Sequence, residues 1–218
     1  MIKVALIEDH QVLIDALALI FSTEGDYEFV GAERTMEGGL NLVMDTTPDV
    51  LLLDVRLPDG DGLELVPVIN TICPQTQIIA MTCVPDEDLL LRAIEAGVSG
   101  FLAKDCSLPD LLSTIKDVYK GEIVMPPHML VELLKRTPRK QHVFSKGGHL
   151  LERLTPREFE ILKYLAQGLS GDAIAVELHI APLTVRTHIR NMMSKLGVHS
   201  RLEAVSYALN NGLIELST

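Results

Sequence analysis

Asp54 closes an apolar run, Val50-Leu51-Leu52-Leu53, and is followed by Val55-Arg56-Leu57-Pro58-Asp59-Gly60. Glu8 and Asp9 follow a second such run, Lys3-Val4-Ala5-Leu6-Ile7, while Thr82 follows Gln77 to Met81 and Lys104 follows Gly100-Phe101-Leu102-Ala103. Three carboxylates gathered in one place repel one another, and a hard cation between them relieves the repulsion. Mg²⁺ takes oxygen ligands and keeps several waters, so a shallow acidic pocket suits it. An ionised carboxylate is also a nucleophile toward phosphorus and gives an aspartyl-phosphate. The transferred phosphoryl oxygens need positive charge, which Mg²⁺ and Lys104 can supply. The Thr82 hydroxyl can donate a hydrogen bond to one of them. Taken singly, an acidic pair after a strand is most often a solvated strand end, a lone loop lysine is nearly always solvated, and Thr82 can simply cap a turn. The case rests on their recurrence after successive apolar runs.

A second set of candidate residues lies near the other end of the chain. Val185, Ile189, Met192, Met193 and Leu196 repeat at helical spacing and predict a core-facing stripe. Arg186, Thr187 and Arg190 fall off that stripe. Arginine pairs bidentately with guanine O6 and N7, and threonine can touch a thymine methyl or a base edge, so this face suits the major groove of DNA.

The elements that must position these residues follow from the pattern. Short unbroken apolar runs suit strands buried on both faces of a parallel sheet. Strands are predicted at 3–7, 27–32, 50–54, 77–82 and 100–103. Helices are predicted at 12–21, 36–44, 63–72, 86–96 and 108–119, the second diluted by Gly38-Gly39. Five strand–helix repeats indicate a doubly wound, five-stranded parallel sheet, in which the residues just after the strands share one edge. Further on, Thr155-Pro156-Arg157-Glu158 reads as a capping box opening a helix, and Ser170 caps a second. Pro182 opens a third that ends at Gly197. Ser200-Arg201-Leu202-Glu203 opens a fourth. A helix, a short turn and a basic-faced helix make a helix-turn-helix.

Length and charge agree with two modules. The chain has 218 residues and a formal net charge of -11, but the charge is unevenly spread. Residues 1–124 carry 7 basic and 22 acidic side chains, 125–149 carry 5 and 1, and 150–218 carry 7 of each. Only the second half can approach DNA without strong repulsion. The expected organisation is 1–122, a basic proline- and glycine-containing linker at 123–149, and 150–218. The three cysteines, Cys73, Cys83 and Cys106, have no metal-ligand spacing, and their odd number fits a reduced cytoplasm. No apolar run approaches the length of a membrane span.

Glu8-Asp9, Asp54 with Leu57-Pro58-Asp59-Gly60, Thr82, and Phe101 three residues before Lys104 together resemble the receiver domain of two-component response regulators. The resemblance implies a flavodoxin-like fold in which Asp54 accepts phosphate from a sensor histidine kinase. Glu8, Asp9 and Asp54 would bind Mg²⁺ together with the backbone carbonyl of Arg56. Thr82 and Lys104 would contact the phosphate, and Phe101 would be an aromatic switch that turns inward when Thr82 moves. Residues 154–212 resemble the all-α LuxR-type DNA-binding domain of the NarL/FixJ class, through Leu154-Thr155-Pro156-Arg157-Glu158, Ala166-Gln167-Gly168-Leu169-Ser170, Thr184-Val185-Arg186 and Lys195-Leu196-Gly197-Val198. By that resemblance Arg186, Thr187 and Arg190 reach bases, and His188, Asn191, Ser194 and Lys195 contact phosphates. Val205 and Leu209 would pair two protomers as a homodimer on double-stranded DNA once the receiver is phosphorylated. The chain departs from the family at Gly171-Asp172-Ala173, where Asn-Lys-Glu is usual, and at Ala181, where a hydroxyl cap is usual. An enzyme of the haloacid-dehalogenase type is a poor alternative, because it needs an acid two residues after its nucleophile and that position is Arg56.

Overall fold

The central strands are apolar throughout because both faces of the sheet are covered. Val4 to Ile7 and Val50 to Leu53 are fully buried in the computed structural model, which describes residues 1–84, 87–122, 124, 154–198, 200–210 and 213–214. Each such Leu or Ile stabilises the fold by about 1.5–3 kcal/mol relative to exposure. Strands β1 (Ile2–Ile7), β2 (Tyr27–Glu33), β3 (Val50–Asp54), β4 (Gln77–Thr82) and β5 (Gly100–Ala103) form one sheet in the order β2-β1-β3-β4-β5. Every neighbouring pair in it is parallel. The chain steps outward from β1 to β2, then returns to β3 and proceeds the other way. The loops after β1 and β3 therefore diverge and leave a crevice at the carboxyl edge. Ile7 pairs with Leu53, so Glu8 and Asp54 leave the sheet side by side.

Each strand is followed by a helix: α1 (Gln11–Thr23), α2 (Met36–Thr46), α3 (Leu65–Ile72), α4 (Glu87–Ala96) and α5 (Leu108–Tyr119). Helix α1 starts one residue earlier and ends two later than the sequence reading, the described α4 starts one later, and α2 and α3 depart for reasons visible in their contacts. Helix α2 is two residues longer than its glycines suggest. It is capped by the Thr35 hydroxyl, which accepts from Gly38 N, and a Cβ on Gly39 would lie 2.4 Å from Cδ1 of the fully buried Ile7. Gly39 thus lets α2 lie against β1, and this close approach outweighs the propensity cost. Helix α3 begins at Leu65 rather than Leu63, because a 3₁₀ turn, Gly62–Glu64, precedes it, with Asp61 accepting from Leu63 N. Between β3 and that turn lies an unanticipated two-residue hairpin, Arg56–Leu57 paired with Gly60–Asp61.

Gly62 is the tightest point of this loop. A Cβ there would lie 2.1 Å from the Asp54 carbonyl oxygen, and no side-chain rotation relieves a clash with backbone. Gly62→Ala is expected to lower the stability of the first unit by about 1–3 kcal/mol, read as a lower urea midpoint at unchanged slope.

By its internal contacts the chain divides into Met1–Lys120 and Gly121–Thr218. The predicted linker at 123–149 lies outside the described residues except Val124. The second unit contains α6 (Pro156–Ala166), α7 (Gly171–Glu177), α8 (Pro182–Leu196) and α9 (Arg201–Asn210). Its core joins Ile161, Leu162 and Leu165 of α6 to Ile174 of α7, Val185, Ile189 and Met192 of α8, and Ala204 and Ala208 of α9. Thr155 and Glu158 form the full capping box at the start of α6, the Ser170 hydroxyl accepts from Ala173 N at the start of α7, and Ala181 caps α8 with no side-chain bond. Among the described residues, no helix is long and apolar enough to cross a membrane.

Candidate functional site

The carboxyl edge of the sheet holds a compact ionic cluster. Lys104 leaves the end of β5 and places its Nζ 2.7 Å from Asp54 Oδ2, 2.9 Å from Glu8 Oε1 and 2.7 Å from Glu8 Oε2. Glu8 is fully buried and Asp54 is 3% exposed. The other Asp54 oxygen, Oδ1, accepts from Arg56 N at 3.0 Å, so the carboxylate is held at both ends. Burial pushes the Asp54 carboxyl above its usual range, against the pull of Lys104 and the Arg56 N–H. Burial also opposes the charge on Lys104, but Asp54 and Glu8 outweigh it and raise the ammonium above its ordinary value. The result is a desolvated carboxylate beside a firmly charged cation. That arrangement suits a nucleophile whose product carries more negative charge than the starting state.

Glu8, Asp9, His10 and Asp54 each offer a ligand atom, and these atoms lie within 4.8 Å of one another. Two buried oxygens of the cluster, Glu8 Oε2 and Asp9 Oδ1, accept no hydrogen bond, although Lys104 and His10 approach them at 2.7 and 2.6 Å. Buried carboxylate oxygens of this kind call for a partner, and hard divalent cations take such oxygens. The donor set therefore fits a metal ion. His10 is not among the candidates drawn from the sequence. Its place directly after Glu8-Asp9 was the available signal. Hydrogen bonding to Glu8, with the charges of Asp9 and Glu8, raises its pKa.

Thr82 and Phe101 stand apart from the cluster. The Thr82 hydroxyl is shared with the backbone of Val84, at 3.4 Å to its carbonyl and 3.3 Å from its N–H, and it makes no bond to Asp54. Phe101 is only 3% exposed, so it already occupies the inward position that the sequence reading reserved for the switched state. The Arg56 side chain is exposed and points to no partner in the cluster, while its N–H serves Asp54. Asp59, within the Leu57-Pro58-Asp59-Gly60 loop, accepts from Met36 N at 2.8 Å and so ties this loop to the start of α2.

On α8 the core stripe is buried at Val185, Ile189, Met192 and Leu196, and Met193 is partly buried. Thr187, Arg190, Asn191 and Ser194 are exposed and His188 is half-buried. Arg186 lies on the same helix, and its side chain is outside the described residues. Lys195 differs from the expectation of a phosphate contact: its Nζ is 2.8 and 2.7 Å from the two Glu158 carboxylate oxygens. Burial alone would raise the Glu158 pKa, but the bonds from Lys195 and Thr155 outweigh it and lower it. The dimerisation expectation needs a correction at Val205. That side chain is 4% exposed and belongs to the core of its own unit, so it has no surface to offer a second protomer. Leu209 is partly buried against the same core. On α9, spacing alone did not distinguish inward from outward positions.

Comparisons with known proteins bear on both units. Residues 4–116 match the family described as "Response regulator receiver domain", and residues 152–208 match "Bacterial regulatory proteins, luxR family". The response regulator protein VraR of Staphylococcus epidermidis is 33% identical, over 98% of this chain and 99% of VraR. A two-component response regulator of the LuxR family from Aurantimonas is similar in structure with a TM-score of 0.57 and 24% identity, over 62% of this chain and 96% of that one. RcsB from Salmonella enterica serovar Typhimurium, solved on promoter DNA with the phosphomimetic BeF₃⁻, is similar with a TM-score of 0.56 and 22% identity, over 96% and 98% of the two chains.

Proposed function

Because the chain belongs to the response regulators that join a receiver domain to a LuxR-family DNA-binding domain, we propose that it is switched by phosphorylation of Asp54. The donor is a sensor histidine kinase, and the consequence is altered binding of the second unit to double-stranded DNA, and thereby altered transcription. In this reading residues 1–122 receive the phosphoryl group, 123–149 connect, and 150–218 read DNA as a homodimer in the cytoplasm. The observation that supports it most is the Lys104 ammonium lodged between buried Asp54 and Glu8 at the carboxyl edge of the sheet. Attack by an Asp54 oxygen on phosphorus forms an acyl-phosphate bond and breaks the bond to the donor. Lys104 is placed to follow the growing charge on the phosphoryl oxygens. Glu8, Asp9, Asp54 and the Arg56 carbonyl would hold Mg²⁺, which when bound neutralises further charge there. Thr82 would have to exchange Val84 for the phosphoryl group.

For DNA, the exposed face of α8 with Thr187 and Arg190, joined by Arg186, suits base contacts in the major groove. His188, Asn191 and Ser194 are the phosphate-contact candidates. With Val205 in the core, Leu209 is what remains of the pairing surface on α9. The test is selection of bound duplexes from a random pool, with and without acetyl phosphate and Mg²⁺. An enriched sequence whose recovery depends on the phosphodonor is the expected result, and recovery indifferent to it overturns the switch.

Asp172 sits in the first turn of α7, where an acid favours the helix dipole but opposes DNA phosphates. Asp172→Lys is expected to steepen the dependence of log K on log salt by about 0.9 per added phosphate contact. Equal slopes for the variant and wild type would show that this end of α7 does not approach the DNA backbone.

A further inference from the structure

We propose that Arg157 is a positioning residue for DNA recognition: its guanidinium pins the turn ahead of α8 and so sets the start of a helix that Ala181 leaves without a hydroxyl cap. This rests on the reading of α8 as the helix that meets the bases. Arg157 stands half-buried in the first turn of α6. Its Nη2 donates to the Leu178 carbonyl at 2.8 Å, and its Nη1 donates to Glu160 Oε2 at 2.8 Å. Leu178 is the C-cap of α7. Only His179, Ile180 and Ala181 separate it from Pro182, the first residue of α8.

The turn satisfies most of its own backbone. His179 has a φ of 53°, the left-handed conformation that closes a helix. Ile180 N donates to the Ala175 carbonyl at 3.0 Å, and His179 N donates to the Val176 carbonyl at 3.2 Å. His179 Nδ1 lies 3.2 Å from the Glu177 carbonyl. The Leu178 carbonyl comes next. The last carbonyls of a helix have no partner within it, and a cation there also meets the negative end of the helix dipole. Arg157 answers both needs from another helix. Beyond the turn, α8 begins with Ala181, which makes no side-chain bond, and with Pro182, which has no N–H. The direction of α8 therefore follows the turn, and the turn is held from outside by Arg157. The next residue of α6, Glu158, holds α8 near its far end through Lys195. One turn of α6 thus fixes α8 at its end and the chain just before its start. Base contacts depend on that orientation, because a side chain must meet one particular base edge. Phosphate contacts carry no sequence information.

The experiment uses the full chain, a duplex selected from a random pool and a scrambled duplex. The variants are Arg157→Ala, Ala181→Ser and the two together, each assayed where circular dichroism shows it folded. Discrimination is the ratio of the two affinities. A lost fit at one base position costs about 5–150-fold, so Arg157→Ala is expected to lower discrimination at least about fivefold. The dependence of log K on log salt is expected to keep its slope. A hydroxyl cap favours a helix start by about fivefold, so Ala181→Ser is expected to restore at least about threefold in the Arg157→Ala background and to change wild type by less than about twofold. A slope lower by about 0.9 would make Arg157 a phosphate contact and overturns the assignment. Unchanged discrimination in Arg157→Ala, or equal gains from Ala181→Ser in both backgrounds, also overturns it. Should Arg157→Ala not fold, Ala181→Ser alone decides: a gain above about threefold in wild type shows that the turn was not already held. If wild type selects no sequence, the reading of α8 falls and Arg157 with it. If wild type selects one and Arg157→Ala discriminates as well, only the role of Arg157 falls.

Discussion

Asp54→Asn takes up no phosphoryl group from acetyl phosphate in Mg²⁺, and its binding to duplex DNA is indifferent to the donor. This is the largest effect expected of any single change in the first unit, and its reason is local. The amide has no ionised oxygen to attack phosphorus, and Glu8, which also has one oxygen 2.7 Å from Lys104 and the other accepting a backbone N–H, is fully buried. Loss of labelling by unfolding is separable from loss of the nucleophile. The amide oxygen can still accept from Arg56 N, and Lys104 keeps both oxygens of Glu8. Burial raises the Asp54 pKa, so at neutral pH the folded state holds this charge at a cost that an uncharged amide does not carry. The variant should therefore melt at or above the wild-type temperature. Labelling that persists at another residue would refute Asp54 as the acceptor, and a variant that melts well below wild type would refute this account of the pocket's electrostatics.

The inner strands β1, β3 and β4 were legible because burial on both faces forces nearly unbroken apolar runs, and the polar residues at the strand ends, Glu8, Asp54, Thr82 and Lys104, came with the strands. A parallel sheet gathers those ends whatever the details of the helices. Contacts that depend on three-dimensional approach were not legible. Gly39 looked like a weak point in a helix, yet it is where α2 meets Ile7. Gly62 drew no reading from the sequence, yet glycine is the residue type that fits against the Asp54 carbonyl. The hairpin at Arg56–Leu57 and Gly60–Asp61 is too short to show an alternating pattern. Phe101 could be named but not placed inside or outside, because the sequence does not say that its ring is 3% exposed in the fold. Val205 was misassigned for a related reason: α9 carries apolar residues on more than one face, and periodicity does not say which of them the other helices cover.

Lys195→Ala destabilises the second unit far more than it weakens DNA binding by the folded protein. As a solvated helix residue Lys195 would contact phosphate, and its loss would lower the salt slope by about one contact. The structure instead gives its ammonium to both oxygens of Glu158, a pairing across 37 positions that no local pattern announces. Glu158 is 2% exposed and also serves as N3 of the capping box, with Oε2 accepting from Thr155 N at 2.7 Å. Removing the lysine leaves a buried carboxylate with hydrogen bonds but no counter-charge; breaking a fully buried pair from one side costs about 3–5 kcal/mol, and the solvent that reaches the half-buried Lys195 reduces this to about 1–3 kcal/mol. For a domain of this size that lowers the midpoint by at least about 4 °C. Glu158→Gln should cost less, because Lys195 is about one-third exposed and its charge returns to water. The two together should cost less than Lys195→Ala alone. The pH dependence has the same origin. The Glu158 pKa lies below its ordinary value, so the stability it contributes is complete above an unfolded pKa of about 4.3 and is lost as pH falls through the lower folded value. Wild type should lose second-unit stability across that acid window, and Glu158→Gln should be flatter. A normal melt for Lys195→Ala with a reduced salt slope would return the residue to the DNA interface.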